Sequence, residues 1–459
     1  MSLNGKRRVG MDMTTGDPIR LLVVFALPLL LGAVFQLMYS MVDTIVLGRF
    51  VSTDALAAVG ASGSTYGLIM MLGYAMDSAL TVLISQAWGA KNHERVRHLA
   101  GQSVSICLIS GVVIGVGSYC LAEPLMRLLK TPENIIDGAV LYLRITCGIY
   151  IANMAYNTAA DVLRAIGDSR TPLAFLIFCS VLNVILDLLF VRLFDNGIAA
   201  VAYATVLSQA VSAALCWGYM MKKYEALRFR PADLRPDAAE ICPFLKLSLP
   251  MIFQHVVLCV GEMTITATLN ACGSVAVAAY TVGGRVERIA TVVVEQVDAS
   301  FSVYSGQNYG AKAYDRIELG LKKALLLLGG MTLLSMAVLF LFARPLTLLF
   351  VAAAETEVVR LASVMMYIEA SFLLALSFIL LYNAALRGIG LVVPILISAM
   401  TELACKIGLS LTLSRLYGPV GIWFASPIGW VVGLGVSAGF YYFSGWKKKA
   451  LARDKALCA

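Results

Sequence analysis

The most evident deficit of this 459-residue chain is charge, because Asp, Glu, Lys and Arg together make up only 14% of it. Soluble domains carry about 25% charged residues, whereas 59% of this chain is hydrophobic and its mean hydropathy is +0.82. Apolar runs of about 20 residues or more, the length that spans a bilayer, recur along the whole chain. The composition therefore excludes an ordinary soluble protein and predicts a polytopic α-helical membrane protein.

Motifs of enzyme chemistry are missing as well. The ten cysteines form no Cys-x-x-Cys pair and no Cys/His cluster with metal-ligand spacing. The chain has no phosphate-binding loop, no dinucleotide fingerprint, no zinc-binding helix motif and no nucleophile elbow. Its net charge of +8 is scattered through loops without interleaved aromatic residues. We therefore expect no enzyme activity, no cofactor and no nucleic-acid partner.

Loops marked by Gly, Pro and charge divide the chain into twelve predicted transmembrane helices. Their predicted limits are 19–47, 54–83, 96–120, 134–160, 170–192, 197–221, 243–268, 274–303, 317–343, 356–384, 390–413 and 420–445. The first apolar run is too long for a cleaved signal and has no A-x-A site, so we expect it to remain as a spanning helix. The longest hydrophilic connection, residues 222–246, separates six helices from six.

The two sets of six helices repeat each other in sequence. Ser85–Lys91 recurs as Gly306–Lys312, and Leu163–Gly167 recurs as Leu386–Gly390, at nearly the same spacing. Since six helices separate the copies, both halves have the same orientation, and a pseudo-two-fold axis along the membrane normal is expected to relate them. The predicted fold is thus an all-α membrane protein with two six-helix lobes. The predicted domains are an N-lobe (1–221), a cytoplasmic linker (222–246) and a C-lobe with a basic tail (247–459).

Positive charge predicts the orientation in the membrane. Twenty-five Lys and Arg residues lie on the side that holds both termini and the linker, against eight on the opposite side. Cytoplasmic loops carry such an excess. Both termini are therefore expected in the cytoplasm, and the protein is expected in the cytoplasmic (inner) membrane.

Polar residues inside the predicted helices are the candidates for a functional site. Asn183 and Asp187 lie one turn apart in the fifth helix and share one face. A charge at a helix centre costs about 2.5–3.5 kcal/mol, so Asp187 is expected to bind something. Other helices of the first half contribute Asp43, Asn157, Asp161 and Thr205. Their oxygens suit Na⁺, and two nearby carboxylates suit a proton, while hydrogen bonding between helices is the alternative.

The second half offers a second set of ionisable residues. His255 and Glu262 lie seven residues apart on one face of the seventh helix. Glu262 has no cation one turn away, so it is the candidate for a second protonatable site, together with His255 and Glu295. Glu402 and Lys406 have helical spacing and are expected to neutralise each other.

Pro28 lies within the first predicted helix and should kink it, because proline removes a backbone hydrogen bond. The bend is either passive or a hinge that couples a cation site to substrate access. Side chains of the first two helices form a soft, aromatic-rich surface that suits varied apolar ligands, with lipid contact or helix packing as the alternative. The candidate cleft residues are Phe35, Gln36, Met38, Tyr39, Tyr66 and Met70.

These features resemble a known family. Asp43 within Tyr39–Thr44, Gln86 with Gly89, and the duplicated Leu-Arg-x-x-Gly motif that begins at Leu163 resemble the prokaryotic MATE (multidrug and toxic compound extrusion) transporters. The resemblance extends over essentially the whole chain. It implies a secondary antiporter that exports organic cations and other drug-like compounds in exchange for Na⁺ or H⁺ by rocking two lobes. A monomer surrounded by membrane lipids is expected.

The resemblance also implies roles for single residues. The residues that match the family's N-lobe cation site are Asp43, Asn157, Asn183, Asp187 and Thr205; Na⁺ would lie at Asp43, Asn183 and Asp187. Pro28 matches the bend of the first helix. Glu262 matches a C-lobe glutamate of another branch, but the partner aspartate of that branch is Leu376 here, so a complete C-lobe site is not expected.

One alternative uses the same superfold. Related membrane proteins flip lipid-linked oligosaccharide precursors, which requires a strongly cationic cleft for pyrophosphate. Arg285 and Arg288 in the eighth predicted helix favour this flippase, whereas the acidic residues of the first half argue against it. Arg288 and Glu295 also have the spacing of a structural ion pair. A receptor or scaffold without transport activity is the third possibility.

Overall fold

The computed structural model describes residues 10–194 and 196–458, and these are almost entirely helical. The α-helices found in these ranges are α1 Pro18–Val46, α2 Thr53–Gly89, α3 His93–Leu128, α4 Glu133–Thr146, α5 Tyr150–Ala165, α6 Arg170–Leu193, α7 Gly197–Lys223, α8 Ala238–Asn270, α9 Ser274–Gly310, α10 Tyr314–Leu348, α11 Thr356–Gly388, α12 Val393–Tyr417, α13 Pro419–Trp423, α14 Ala425–Phe443 and α15 Trp446–Cys458. Helices satisfy their own backbone hydrogen bonds, as a bilayer core without water requires. Lys6, Arg7 and Arg8, which count among the basic residues predicted on the cytoplasmic side, lie outside the described residues.

Each of the twelve predicted helices has a helical counterpart, but not all of them are single straight spans. In the described part of the chain, ten segments are long and apolar enough to cross a membrane. The predicted fourth helix is the pair α4 and α5, which is bent by 48° and adds an eleventh crossing if taken as one. Helix α9 does not pass the same test, because five charged residues lie between Arg285 and Asp298. The chain is a multi-pass membrane protein.

Helix contacts divide the chain into two compact units. Unit 1 comprises Met1–Asp12 and Leu27–Ser248, and unit 2 comprises Met13–Ala26 and Leu249–Ala459. Since lipid is as apolar as the side chains, close packing rather than burial from water holds such helices together. In unit 1 a core of apolar side chains lies among α2, α3 and α4, and in unit 2 a similar core lies among α9, α10 and α11.

Helix α1 contributes to both units. Residues 13–26 pack within unit 2, where the Ser300 hydroxyl donates to the carbonyl of Leu22 at 3.2 Å. From Leu27 onward the same helix packs within unit 1. The change lies beside Pro28, the proline inside α1. The lobes at 1–221 and 247–459 stay predictions. The two compact units have different boundaries, because residues 13–26 at the start of the first helix pack within unit 2.

The predicted linker is folded against unit 1 rather than extended. Gln102 on α3 donates to the carbonyl oxygens of Asp233 (2.8 Å) and Arg235 (2.6 Å) and accepts from the backbone N–H of Asp237 (3.1 Å). Arg97 on the same helix pairs with the Asp233 carboxylate at 3.3 Å. A single buried glutamine thus satisfies three backbone groups of the connection, which the hydrophilic composition did not indicate.

Turns at matched positions of the two halves have the same backbone conformation. Lys91 after α2 and Lys312 after α9 have φ of 56° and 58°, and Gly167 and Gly390 have φ of 89° and 83°. Residues with a Cβ rarely adopt such angles, so their recurrence extends the sequence repeat to the backbone. Gly167 is also required sterically, because a Cβ there would lie 2.2 Å from the carbonyl oxygen of Met11.

Replacement of Gly388 by Ala is expected to destabilise the packing of α11 on α9. The new Cβ would lie 2.4 Å from Cβ of Ser305 and 2.6 Å from the carbonyl oxygen of Ser302, so backbone must move. Overpacking of this kind lowers the free energy of unfolding by about 1–3 kcal/mol. The measurement is the melting temperature of the purified protein, which should fall.

The matched control is Gly408→Ala on α12, where a Cβ would have no atom within 4 Å. Alanine favours a helix by up to about 1 kcal/mol over glycine, so this variant should melt at or above the wild-type temperature. Equal melting temperatures for the two variants would contradict the packing argument.

Candidate functional site

The polar pair of the fifth predicted helix lies on α6 and is fully buried. Asn183 and Asp187 both have 0% of their surface exposed. The Asn183 amide points its nitrogen toward two carboxyl groups, because the opposite orientation would place its oxygen against two acceptors. In this orientation the nitrogen donates to Asp187 Oδ2 at 3.1 Å and to Asp43 Oδ1 at 3.0 Å. One amide therefore joins the carboxyl groups of α1 and α6.

Two hydroxyl groups complete this cluster. Thr205 Oγ1 on α7 lies 3.4 Å from the Asn183 amide and donates to the carbonyl of Val201 at 3.0 Å. The phenol of Tyr39 lies near Asp43 and Thr205. Four of the five residues predicted for the cation site are thus brought together, and Tyr39, predicted only for the cleft, joins them.

The cluster has acceptors that the protein does not satisfy. Oδ1 of Asp187 is buried and has no hydrogen-bond partner, and in the described part of the chain neither Asp187 nor Asp43 is ion-paired with Lys, Arg or His. Two uncompensated carboxylates this close repel each other in a medium of low polarity. A shared proton, or a Na⁺ ion held by carboxylate, amide and hydroxyl oxygens, would remove the repulsion. The residues present fit either ion.

The other predicted polar residues of the first half have partners elsewhere. Asn157 donates from its amide nitrogen to the backbone carbonyl (3.1 Å) and the side-chain oxygen (2.9 Å) of Asn153. Asp161 pairs with Arg164 at 2.6 Å. The hydrogen bonds described do not connect Asn157 to Asp43 or Asp187, and its role at a cation site stays a prediction.

The predicted cleft residues do not share one environment. Met70 is buried in the unit 1 core, and Tyr66 packs against that core and against the ring of Tyr142, with centroids 6.4 Å apart. Met38 on α1 is exposed, and Gln36 is exposed and lies near the Tyr74 phenol. Phe35 is half-buried. Their role in substrate binding stays a prediction.

The ionisable residues of unit 2 are paired differently from the prediction. Lys406 on α12 does not neutralise Glu402 one turn away, because its Nζ instead binds Glu262 Oε1 on α8. The phenol of Tyr280 donates to the other oxygen of Glu262 at 3.2 Å. The helical spacing suggested a local pair, but the side chain reaches a neighbouring helix. Glu262 thus has a cation partner, and its role as a protonatable site stays a prediction.

The remaining charged candidates of unit 2 lie on α8 and α9. Glu295 pairs with Arg288 at 3.1 Å, as their spacing suggested, so Arg288 does not present a free charge for pyrophosphate. His255 is half-buried on α8. No described contact connects His255 with Glu262 or Glu295.

Two buried acids of the described membrane-spanning helices escaped the sequence analysis. Asp77 on α2 is 1% exposed and accepts a hydrogen bond from Thr158 Oγ1 at 2.7 Å. Glu369 on α11 is buried within hydrogen-bonding reach of Glu287, and its Oε2 has no partner. The repeat contained a signal for Asp77, because the register that aligns Ser85–Lys91 with Gly306–Lys312 places Asp77 opposite Asp298. Glu369 has no such signal.

Comparison with known proteins agrees with the architecture. The family model described as MatE matches residues 28–189 and 250–412. The chain is 28% identical to the probable multidrug resistance protein YoeA of Bacillus subtilis, over 95% of each chain, and 24% identical to the probable multidrug resistance protein NorM of Thermotoga maritima, over 95% of this chain and 94% of that protein.

A crystal structure of MATE in the bent conformation superposes with a TM-score of 0.88 at 22% identity, over 96% of this chain and 98% of that one. This likeness confirms the predicted all-α membrane fold.

Proposed function

The chain belongs to the MatE family of membrane transporters, and on this premise we propose that it is a secondary antiporter that exports organic cations and other drug-like compounds in exchange for Na⁺ or H⁺. The observation that carries the proposal is the pair formed by buried Asp187 and half-buried Asp43, which Asn183 bridges and which has no basic partner among the described residues. A buried charge inside a membrane protein marks an ion pathway by default. Relatives described as multidrug resistance proteins support the class of substrate.

The coupling ion acts by binding one state of the protein better than the other. A proton or Na⁺ at Asp43 and Asp187 cancels the repulsion between the carboxylates, so it favours the arrangement in which α1 and α6 are joined through Asn183. A ligand shifts a conformational equilibrium only by its differential affinity for the two states. Release of the exported compound accompanies ion binding in this scheme, and release of the ion resets it.

Helix α1 is the element that transmits ion binding. It carries Asp43 in the part that packs within unit 1, and its first turns pack within unit 2, with Pro28 at the change. Proline leaves a carbonyl without its helical donor, so bending is cheapest there. We propose Pro28 as the hinge between the lobes, both termini in the cytoplasm, and the cytoplasmic membrane as the location.

The test is transport of a fluorescent organic cation, ethidium, by the purified protein in liposomes. Na⁺ and pH gradients are imposed separately, in each direction and with the membrane potential clamped. We expect accumulation driven by one of the two gradients, which identifies the coupling ion. Dissipation of that gradient by an ionophore should stop transport, whereas ATP should have no effect. Absence of flux under both gradients would overturn the proposal.

A further inference from the structure

We propose that Asp77 is a proton-binding site of unit 1, separate from the Asp43 and Asp187 cluster. In unit 2, the matched residue of the repeat is Asp298, which pairs directly with Arg387 at 2.6 Å. Both side chains are 16% exposed, and Arg387 Nε also donates to the Ser302 hydroxyl at 3.2 Å. The second half thus pairs its mostly buried aspartate with the arginine of the Leu-Arg-x-x-Gly motif.

The first half has the same aspartate and the same arginine, but they are not paired. Arg164, which matches Arg387, binds Asp161 at 2.6 Å. Asp161 is an additional acid, because the matched residue of the second half is Ala384. Unit 1 therefore contains two carboxyl groups for one guanidinium where unit 2 contains one for one.

Among the described residues, the remaining neighbours of Asp77 do not supply a positive charge. Thr158, whose hydroxyl donates to Asp77 Oδ1, stands where the second half has Leu381. The titratable groups near Asp77 are the Asp161 carboxylate and Arg164 guanidinium of α5, the thiol of Cys107 on α3, and the phenols of Tyr74 on α2 and Tyr150 on α5. Arg164 is the one cation among them.

A buried carboxylate without its own cation is strongly disfavoured as an ion. Asp77 avoids this by keeping a proton, and the Thr158 hydroxyl then donates to its carbonyl oxygen. A donor for the ionised form of Asp77 is also present, because Nε of Arg164 is buried and has no acceptor. When the proton leaves, Arg164 can turn this free donor toward Asp77, which then has the same kind of guanidinium partner that Asp298 has in unit 2. Proton release is thus coupled to a change of partner by Arg164.

The test is infrared difference spectroscopy of the purified full-length protein in lipid nanodiscs, between acidic and alkaline buffer. A protonated carboxyl group has a C=O stretch separate from the amide bands. We expect such a band to disappear on deprotonation and to be absent in Asp77→Asn. Asp161→Asn should also remove it from the acidic spectrum, since Arg164 then becomes available to an ionised Asp77.

A second variant keeps the inference testable if Asp77→Asn does not fold. Thr158→Val retains the side-chain shape but removes the donor, so the band should move to higher wavenumber without loss of intensity. Asp187→Asn is the comparison that separates this site from the proposed ion site, because it should leave the Asp77 band in place whether or not transport is lost. An unchanged spectrum in both Asp77→Asn and Thr158→Val would overturn the inference.

Discussion

Asp187→Asn is expected to abolish ion-coupled export while leaving the amount of protein in the membrane unchanged. The amide is nearly isosteric with the carboxyl group, so the packing of α6 is kept. It cannot take up a proton, and it removes one of the two negative charges that would hold Na⁺. The gradient-driven accumulation of ethidium in proteoliposomes should fall to the level of liposomes without protein.

The matched control for this loss is Asp137→Asn, because Asp137 on α4 is exposed and lies outside the cluster. Its transport should equal that of the wild type. Asn183→Leu offers a third variant: it keeps both carboxylates but removes the amide between them, so we expect impaired coupling with intact folding. Wild-type accumulation by Asp187→Asn would remove the basis for placing the ion at this cluster.

Arg387→Met is expected to cause the largest loss of stability among single substitutions in unit 2. It removes the guanidinium from Asp298, whose Oδ1 already has no hydrogen-bond partner. Breaking a buried ion pair by removing one partner costs about 3–5 kcal/mol, because the remaining charge is left uncompensated. The measurement is thermal unfolding of the purified protein, with the fraction recovered after membrane extraction as a second readout.

A double variant separates this cause from lost packing. Asp298→Asn combined with Arg387→Met removes both charges and should recover most of the lost stability, because replacement of a complete buried pair is often close to neutral. Arg360→Met tests an exposed pair with Glu357, in which both side chains are more than half exposed, and should leave the melting temperature unchanged. A single Arg387→Met variant that melts with the wild type would refute the argument.

Most of the helical framework could be predicted from the sequence, since apolar length and loop chemistry are local properties. Gly, Pro and charged residues separated the spans, and the repeat of Leu163–Gly167 revealed the duplication. The bend between α4 and α5 could not be predicted from the sequence, because it depends on packing around the three residues that separate the two helices. The position of residues 13–26 in unit 2 depends on partners such as Ser300, far away in sequence.

Helical spacing predicted the part of the candidate site that lies on a single helix. Asn183 and Asp187 could be placed on one face from their separation alone, and the buried amide bears this out. Asp43 was a candidate as an acid inside an apolar helix, but its partners could not be derived from spacing. The pair of Lys406 with Glu262 was missed for the same reason, because a long side chain can reach a neighbouring helix as easily as its own next turn.

The division of α1 between the units has a consequence for biosynthesis. Met13 donates from its backbone nitrogen to Gln307 Oε1 at 2.9 Å, so the start of the chain completes its packing only with residues made nearly three hundred positions later. At about 5–20 residues per second, the first helix waits on the order of tens of seconds for that partner. During this interval the insertion machinery or lipid must cover its surface. A gene split after the linker would therefore yield a first fragment that carries residues 13–26 without their packing partners and a second fragment that lacks these residues.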